Sequence, residues 1–161
     1  MKHITLSIFI ILLTVFTSHA SDFENGSDNV TVTDLSTNLM WTKYDIDTNG
    51  DQEITLEDKV TWKKALEECE KLEHAGYEDW RLPTIKELHT LTDFSGDHYD
   101  PATDTTIFLE FQITYWSSTT FASEPSEAWF INFWDGRTIM QDKSKKAFIR
   151  PVRTVTTENS E

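Results

Sequence analysis

A run of oxygen-bearing side chains, Asp47–Asp58 (DTNGDQEITLED), constrains the fold of this chain more than any other segment. An EF-hand-type loop places ligands at positions 1, 3, 5, 7, 9 and 12, because calcium prefers six to eight hard oxygen atoms. Ile54, at position 8, is the apolar residue expected to attach such a loop to the core. Glu53 is expected to contribute its backbone carbonyl, and Thr55 to bind directly or through a water. The side-chain ligands predicted by this register are Asp47, Asn49, Asp51 and Asp58.

The loop departs from the usual pattern at two positions. Position 6, normally Gly because the sharp turn favours a left-handed backbone, is Gln52, and position 12 is Asp58 in place of a bidentate Glu. A register starting at Asp45 places Gly50 at position 6 but puts Leu56, which cannot ligate, at position 12. The sequence therefore predicts modest calcium affinity in the first register. The alternative is an acidic, solvated loop that binds no ion.

Residues 1–20 have the layout of a secretory signal peptide. Lys2 and His3 precede the apolar run 4–16, and Ser18-His19-Ala20 forms a cleavage site. The run has about 13 residues, fewer than the roughly 20 that a spanning helix needs. We therefore expect a secreted, periplasmic or cell-surface protein with no membrane span in the mature chain; the alternative is an uncleaved N-terminal anchor.

The cysteine count and the charge limit the fold and its partners. Cys69 is the only cysteine, so the chain lacks the intramolecular disulfides that often stabilise small exported domains. The formal net charge of −14 argues against nucleic acid as a partner. Residues 137–153 are the exception, because they carry six Lys or Arg side chains against one Asp.

Two helices are predicted. Apolar residues recur at three- and four-residue intervals over about 57–75, and Gly76 is predicted to stop that helix. The second helix begins after Thr84, which forms a capping box with Glu87.

Strand patterns flank these helices. The strands are predicted at 30–33, 39–41, 115–117, 128–134, 137–140 and 147–152, with a hairpin turn at Asp135-Gly136 and an irregular stretch at 93–113. They predict an α+β fold, a single small domain over 30–153 with two helices and a mostly antiparallel sheet. Residues 21–29 are predicted to be a flexible leader and 154–161 a flexible tail.

Several segments resemble, in the same order, the C-terminal domain family of the collagen-like adhesin (the Lcl C-terminal domain family). They are VTD at 32–34, LMW at 39–41, TW at 61–62, GYEDWRLPT at 76–84, KEL at 86–88, YWSST at 115–119, AW at 128–129 and IRPVR at 149–153. The resemblance covers about residues 31–153. It implies an exported, surface-facing module with a C-type-lectin-like fold related to formylglycine-generating enzymes.

The same resemblance implies a ligand and an assembly for the adhesin that names the family, which is implied to bind sulfated polysaccharide as a trimer. The present chain has no collagen-like repeats, which are the part that trimerises that adhesin. Its oligomeric state is therefore left open.

Aromatic and basic residues supply the candidate ligand-binding surface. Trp134, beside the hairpin turn, is the tryptophan predicted to be exposed, whereas Trp80, Trp116 and Trp129 are predicted to lie in the core. Arg and Lys side chains of 137–153 can contact sulfate or carboxylate groups. The alternative is a solvated hairpin arm, with Arg81, Arg150 and Arg153 in structural ion pairs. The predicted ligand-binding residues are Trp134, Arg137, Lys145 and Lys146.

Catalytic motifs are not found in the sequence. No nucleophile elbow, phosphate loop or zinc motif is present, and Cys69 on an apolar helix face is typical of a buried small hydrophobe. We expect a non-catalytic, calcium-stabilised module that binds a carbohydrate or another surface polymer. The first alternative is a structural or protein-interaction module of a surface assembly. The second is an enzyme with the formylglycine-generating fold, whose chemistry depends on cysteines.

Overall fold

The computed structural model describes residues 23–92, 103, 107, 108 and 112–156. The predicted signal peptide at 1–20, residues 157–161 of the predicted tail and most of the irregular stretch 93–113 lie outside the described residues. Within these ranges the fold is α+β, with two short α-helices and three antiparallel sheets, as the sequence predicts. None of the helices in these ranges has the length and apolar character needed to cross a bilayer.

The strands and helices alternate along the chain. The strands are β1 (Phe23–Asn25), β2 (Thr31–Asp34), β3 (Leu39–Thr42), β4 (Val60–Thr61), β5 (Thr114–Thr120), β6 (Glu127–Asn132), β7 (Arg137–Asp142), β8 (Lys146–Ala147) and β9 (Val152–Thr154). The helices are α1 (Trp62–Glu70) and α2 (Ile85–His89), and a 3₁₀ turn spans Leu56–Asp58. The sheet orders are β1-β2-β3-β9, β4-β8 and β5-β6-β7.

The hairpin of β6 and β7 forms, but β6 ends at Asn132 and not at the predicted residue 134, so the connecting loop is residues 133–136 and not Asp135-Gly136 alone. The two strands pair in continuous antiparallel register from Glu127 with Asp142 to Asn132 with Arg137. Gly136 has a φ of +69° in the connecting turn, a conformation that glycine adopts without steric cost. Local turn chemistry therefore predicts the hairpin and the place of Gly136 in its loop, but not the length of that loop.

The segment predicted to be a flexible leader contains an ordered strand. Phe23 of β1 pairs with Asp34 of β2, and its ring meets the Phe108 ring edge to face with 5.6 Å between the centroids. A three-residue strand is too short to show alternation. Its order depends on contacts with residues distant in the sequence.

The first helix is shorter than predicted at both ends. It begins at Trp62, not at residue 57, because Val60 and Thr61 pair with Ala147 and Lys146. It ends at Glu70, before the predicted stop.

Gly76 lies in a tight reverse turn after the helix. The backbone N–H and C=O groups of His74 and Tyr77 exchange hydrogen bonds of 3.0 Å. Ala75 and Gly76 between them have φ values of +54° and +81°, as in the turns that close two-residue hairpins. Gly76 therefore shapes this turn and does not end the helix.

The C-terminal segment predicted as one strand over 147–152 is divided between two sheets. β8 pairs with β4, and β9 pairs with β3. Residues 148–151 connect the two strands and are buried. The segment reads as one strand because its side chains are buried along its whole length.

The core consists of two hydrophobic clusters. The larger one includes Trp41, Tyr115 and Phe148, and the smaller one includes Trp116 and Cys69. Cys69 is buried on α1 as predicted, and burial raises the pKa of its thiol far above the usual value.

The predicted burial of three tryptophans is confirmed for two of them. Trp80 and Trp116 are buried. Trp129 is only partly buried, and its ring packs edge to face against Phe121. Its cross-strand neighbour Met140 on the edge strand β7 is exposed, so the sheet is only partly covered on this face.

Candidate functional site

Asp47 organises the first half of the Asp47–Asp58 loop. Its carboxylate accepts hydrogen bonds from the backbone N–H groups of Asn49 (3.2 Å), Gly50 (2.6 Å) and Gln52 (2.7 Å). These donors, with Gln52 the strongest, hold the pKa of Asp47 below its usual value because they stabilise the charged form. Asp47 is therefore a fixed anion at the start of the loop.

Asp58 joins the two ends of the loop. The side chain is fully buried, where Oδ1 accepts a hydrogen bond from the N–H of Thr48 and Oδ2 from the N–H of Thr55, each at 2.8 Å. Thr48 Oγ1 donates to the Asp58 backbone carbonyl at 2.9 Å. These bonds offset the cost of burying a carboxylate. They also show why the loop closes on itself at this residue.

The middle of the loop is exposed. Asn49 Nδ2 donates to Asp51 Oδ2 at 3.1 Å, and the Asp51 N–H donates to Asn49 Oδ1 at 2.8 Å. The N–H of Glu53 donates to Asp51 Oδ1 at 2.9 Å. The side chains at positions 3 and 5 are thus held together at the surface, where they are accessible to a solvent cation.

Gln52 and Ile54, at positions 6 and 8 of the loop, have the backbone conformation and the burial that an EF-hand-type loop requires at those positions. Gln52 has a φ of +71°, the left-handed conformation for which position 6 normally uses Gly. A non-glycine residue there costs about 1–2 kcal/mol. Ile54 is partly buried and packs against the larger core cluster, which confirms the predicted anchor.

The described side chains do not form a preassembled metal centre. Within residues 23–92, 103, 107, 108 and 112–156, no group of three or more His, Cys, Asp or Glu side chains is placed to hold a metal ion. The predicted donor set contains only oxygen atoms, which is the chemistry that calcium prefers. An ion would have to draw the carboxylates of Asp47, Asp51 and Asp58 together and replace some of the hydrogen bonds just described.

Asp45, the first residue of the alternative register, interacts with core residues. Asp45 is buried and forms an ion pair with Arg150, and it also accepts a hydrogen bond from the Tyr115 hydroxyl at 2.7 Å. Burial raises the pKa of Tyr115 far above its usual value, so the hydroxyl keeps its proton and donates it. Asp45 is therefore part of the core, which favours the register that begins at Asp47 over the one that begins at Asp45.

This buried cluster was not predicted as a unit. Arg150 has no exposed side-chain surface and also donates to the backbone carbonyls of Thr42 (2.9 Å) and Lys43 (3.0 Å). Its partners lie up to 108 positions away in the sequence, so spacing carries no sign of them. The one available signal was an arginine inside an apolar segment near the C-terminus.

Trp134 lies at the tip of the β6–β7 hairpin and is exposed, as predicted. Its side chain is 57% exposed, and it is the one exposed tryptophan of the six, all of which are described. The backbone N–H of Trp134 donates to Asn132 Oδ1 at 2.9 Å, which fixes the backbone of the turn. Three positions on, Arg137 is exposed, and its Nε pairs with Asp135 Oδ2 at 2.9 Å.

The other two predicted ligand-binding residues lie at the opposite end of β7. Lys145 is in the turn after the strand and Lys146 begins β8, and both are exposed. A six-residue strand spans about 20 Å at roughly 3.4 Å per residue. The structure therefore spreads the four predicted residues from the tip of the β6–β7 hairpin to the start of β8 and does not gather them into a pocket.

Three further cations of residues 137–153 have internal roles. Lys143 Nζ lies 4.0 Å from the centroid of the Trp62 ring and donates to Thr120 Oγ1 at 2.9 Å. Arg153 pairs with Asp79 at 2.6 Å, and Arg150 pairs with Asp45. Structural ion pairs for Arg150 and Arg153, the alternative left open by the sequence, are thus confirmed. Arg81 likewise forms a two-pronged pair with Glu87.

Comparison with known proteins places this domain in a family. The family model for the Lcl C-terminal domain matches residues 30–153, from just before β2 to within β9. No curated protein matches the sequence. The matched region includes both core clusters, the Asp47–Asp58 loop and the hairpin. Since it covers most of the chain, the protein belongs to the Lcl C-terminal domain family.

Proposed function

We propose that this chain is an exported, non-catalytic module that binds a carbohydrate or another surface polymer and is stabilised by calcium at Asp47–Asp58. Membership of the Lcl C-terminal domain family supports an adhesin-like surface module. The observation that carries the finer proposal is the exposure of Trp134 on a hydrogen-bonded hairpin tip. Exposing a large aromatic ring forgoes the free energy of its burial, so an exposed tryptophan on an ordered turn favours a binding role.

The chemistry of the hairpin suits a polymer. A tryptophan face packs against the apolar face of a sugar ring, and Arg or Lys side chains form charge-assisted hydrogen bonds with sulfate or carboxylate groups. Arg137 lies beside Trp134, whereas Lys145 and Lys146 lie about 20 Å farther along the strand. A ligand that contacts all four residues must be extended.

The binding test compares a sulfated and a neutral polysaccharide immobilised on a sensor surface. Trp134→Ala is expected to weaken binding by about tenfold, the effect of one well-packed aromatic contact. Leu35→Ala is the matched control, because Leu35 is also a large exposed apolar residue but lies in the β2–β3 turn. Equal binding by wild type and Trp134→Ala would contradict the proposal.

The cationic contribution is tested separately with the double variant Lys145→Ala/Lys146→Ala. It is expected to reduce binding of the sulfated polymer and its sensitivity to salt, because exposed charge pairs are screened by ions. The control is Lys63→Ala/Lys86→Ala, which removes two exposed lysines from the helices. If both double variants lose affinity equally, the attraction is nonspecific.

Two observations support the calcium and non-catalytic parts of the proposal. The loop is attached to the core by Ile54, so an ion that orders the loop would also stabilise the domain. Cys69 is buried with a raised pKa, so its thiol is neither accessible nor ionised for the cysteine chemistry of formylglycine-generating enzymes.

Export is supported by the layout of residues 1–20 alone. The test is mass spectrometry of the protein recovered outside the cytoplasm. We expect its N-terminal residue to be Ser21. A chain that retains Met1 would contradict cleavage after Ala20.

A second candidate function is a protein-interaction module within a surface assembly. It is favoured by β7, which pairs with β6 and forms the edge of its sheet, and which exposes Ile139 and Met140 on opposite faces. Such edges accept an added strand from a partner. Co-purification of a partner that is lost on Met140→Lys, without polysaccharide binding, would favour this function over the first.

A further inference from the structure

A cleft of about 350 Å³ lies between α1, the segment after Trp80 and β5. This volume is within the roughly 300–1,000 Å³ range of small-molecule sites. Leu66 of α1 and the buried Leu82 give it an apolar wall. Arg81, Glu87 and Ser118 add polar groups to the lining, and the exposed Glu70 lies at the end of α1. The predicted ligand-binding residues of the hairpin do not line it.

The polar side of the cleft is held in one geometry. Arg81 donates from both terminal nitrogens to the two carboxylate oxygens of Glu87, at 2.8 and 2.6 Å. The N–H of Thr84 donates to the same carboxylate at 2.7 Å. This pairing uses two of the five N–H donors of the Arg81 guanidinium. The other three donate no hydrogen bond to a described residue. The Arg81 side chain lines the cleft and is 40% exposed, so a ligand in the cleft can reach it.

The charges define the class of ligand. Glu70 and Glu87 outnumber Arg81, so a sulfated or carboxylated group is disfavoured in the cleft. A neutral ring with adjacent hydroxyls satisfies both kinds of rim group, because each hydroxyl accepts from a guanidinium and donates to a carboxylate. The leucine wall covers the apolar face of such a ring.

We propose that this cleft binds one neutral sugar ring, with Arg81 and Glu70 contacting its hydroxyls and Leu66 and Leu82 its apolar face. The proposal rests on the proposed function, since it assumes that the module recognises carbohydrate. It assigns the neutral part of the ligand to the cleft. The charged part is left to the hairpin.

The test follows backbone amide NMR shifts of the purified protein during titration with D-galactose, D-mannose or N-acetyl-D-glucosamine. We expect saturable shifts at Leu66, Glu70, Arg81 and Ser118 with at least one sugar. Glu70→Ala is expected to weaken that binding by about tenfold, the effect of losing a hydrogen bond to a charged group. Glu73→Ala, which removes an exposed glutamate that does not line the cleft, is expected to change nothing.

A second variant, Leu66→Trp, fills the cleft and is expected to abolish the shifts without touching the Arg81–Glu87 pair. Absence of saturable shifts with all three sugars would overturn the proposal. Shifts unchanged in both Glu70→Ala and Leu66→Trp would also overturn it. Trp134→Ala separates the two sites: we expect it to weaken polymer binding but to keep the cleft shifts. Failure of polymer binding alone therefore counts against the hairpin and not against the cleft.

Discussion

Arg150 is the most heavily constrained side chain in the core. Its ion pair with Asp45 is completely buried, so removal of either partner leaves the other charge without compensation. We expect Asp45→Asn and Arg150→Met each to lower the free energy of unfolding by about 3–5 kcal/mol. The measurement is urea denaturation followed by tryptophan fluorescence.

The double variant Asp45→Asn/Arg150→Met tests whether this cost comes from the unpaired charge. It is expected to be less destabilising than the sum of the single variants, because neither charge remains. Strictly additive effects would contradict a direct coupling between the two residues.

Gln52 is held in a conformation that suits glycine better. Its φ of +71° predicts that Gln52→Gly raises the free energy of unfolding by about 1 kcal/mol, by relieving left-handed strain. Glu53→Gly is the control, because Glu53 is an exposed neighbour without a positive φ. It is expected to destabilise by about 0.5–1 kcal/mol, through the added backbone entropy of the unfolded chain. Equal effects of the two variants in chemical denaturation would contradict the strain at Gln52.

Elements that depend on neighbouring residues were predictable, and elements that depend on distant pairing were not. The capping box of α2 follows from a few adjacent residues and forms as predicted. The β6–β7 hairpin also forms, although its loop covers residues 133–136 and not Asp135-Gly136 alone. The predicted start of α1 was wrong because Val60 continues the helical spacing but pairs with Ala147. β1 was missed for the same kind of reason, since its order comes from β2 and Phe108.

The N-terminus of α2 predicts a pH dependence. Burial raises the pKa of Glu87, but hydrogen bonds from Arg81 and Thr84 outweigh this and hold it below the 4.5 of an unperturbed glutamate. A carboxyl group with a lower pKa in the folded state stabilises the fold above its unfolded pKa, and this stability is lost as the pH falls through the folded pKa. We therefore expect the free energy of unfolding to fall below about pH 4.5.

The contribution of Glu87 is isolated by comparing denaturation at about pH 6.5 and about pH 3.5. Glu87→Gln is expected to reduce the loss on acidification by about 1 kcal/mol or less, since solvent screens a partly exposed pair. Glu73→Gln, at an exposed position, should follow the wild-type decline. A Glu87→Gln variant with the full wild-type decline would show that the lost stability originates elsewhere.

For the domain as a whole, the candidate sites were predictable in residue type and not in arrangement. The exposure of Trp134 and the anchoring role of Ile54 follow from local pattern, and both were found. The distance between Arg137 and Lys146, and the closure of the loop on Asp58, depend on strand length and on backbone hydrogen bonds. The cleft beside Arg81 brings together residues from three parts of the chain, so no single segment of the sequence indicates it.

Because the chain has a single cysteine and therefore no intramolecular disulfide, we expect calcium at the loop to contribute to the stability of the domain. Calcium that binds the folded state alone raises the free energy of unfolding by RT ln(1 + [Ca²⁺]/Kd). For an affinity of the weak extracellular class and about 1 mM calcium, this amounts to roughly 0.4–1.4 kcal/mol. We expect the melting temperature to rise by a few degrees in calcium compared with chelator.

Variants of the loop decide whether such a shift reports this site. Asp47→Asn keeps the size of the side chain but removes the charge at position 1, so it should abolish the calcium-dependent shift. Glu57→Gln removes an exposed charge at position 11, which is not a ligand position, so it should preserve the shift. Asp58 is unsuitable as the sole test, because its hydrogen bonds to Thr48 and Thr55 stabilise the loop without any ion. A wild-type protein that melts at the same temperature in millimolar calcium and in chelator has no calcium site, and the loop is then closed by Asp47 and Asp58 alone.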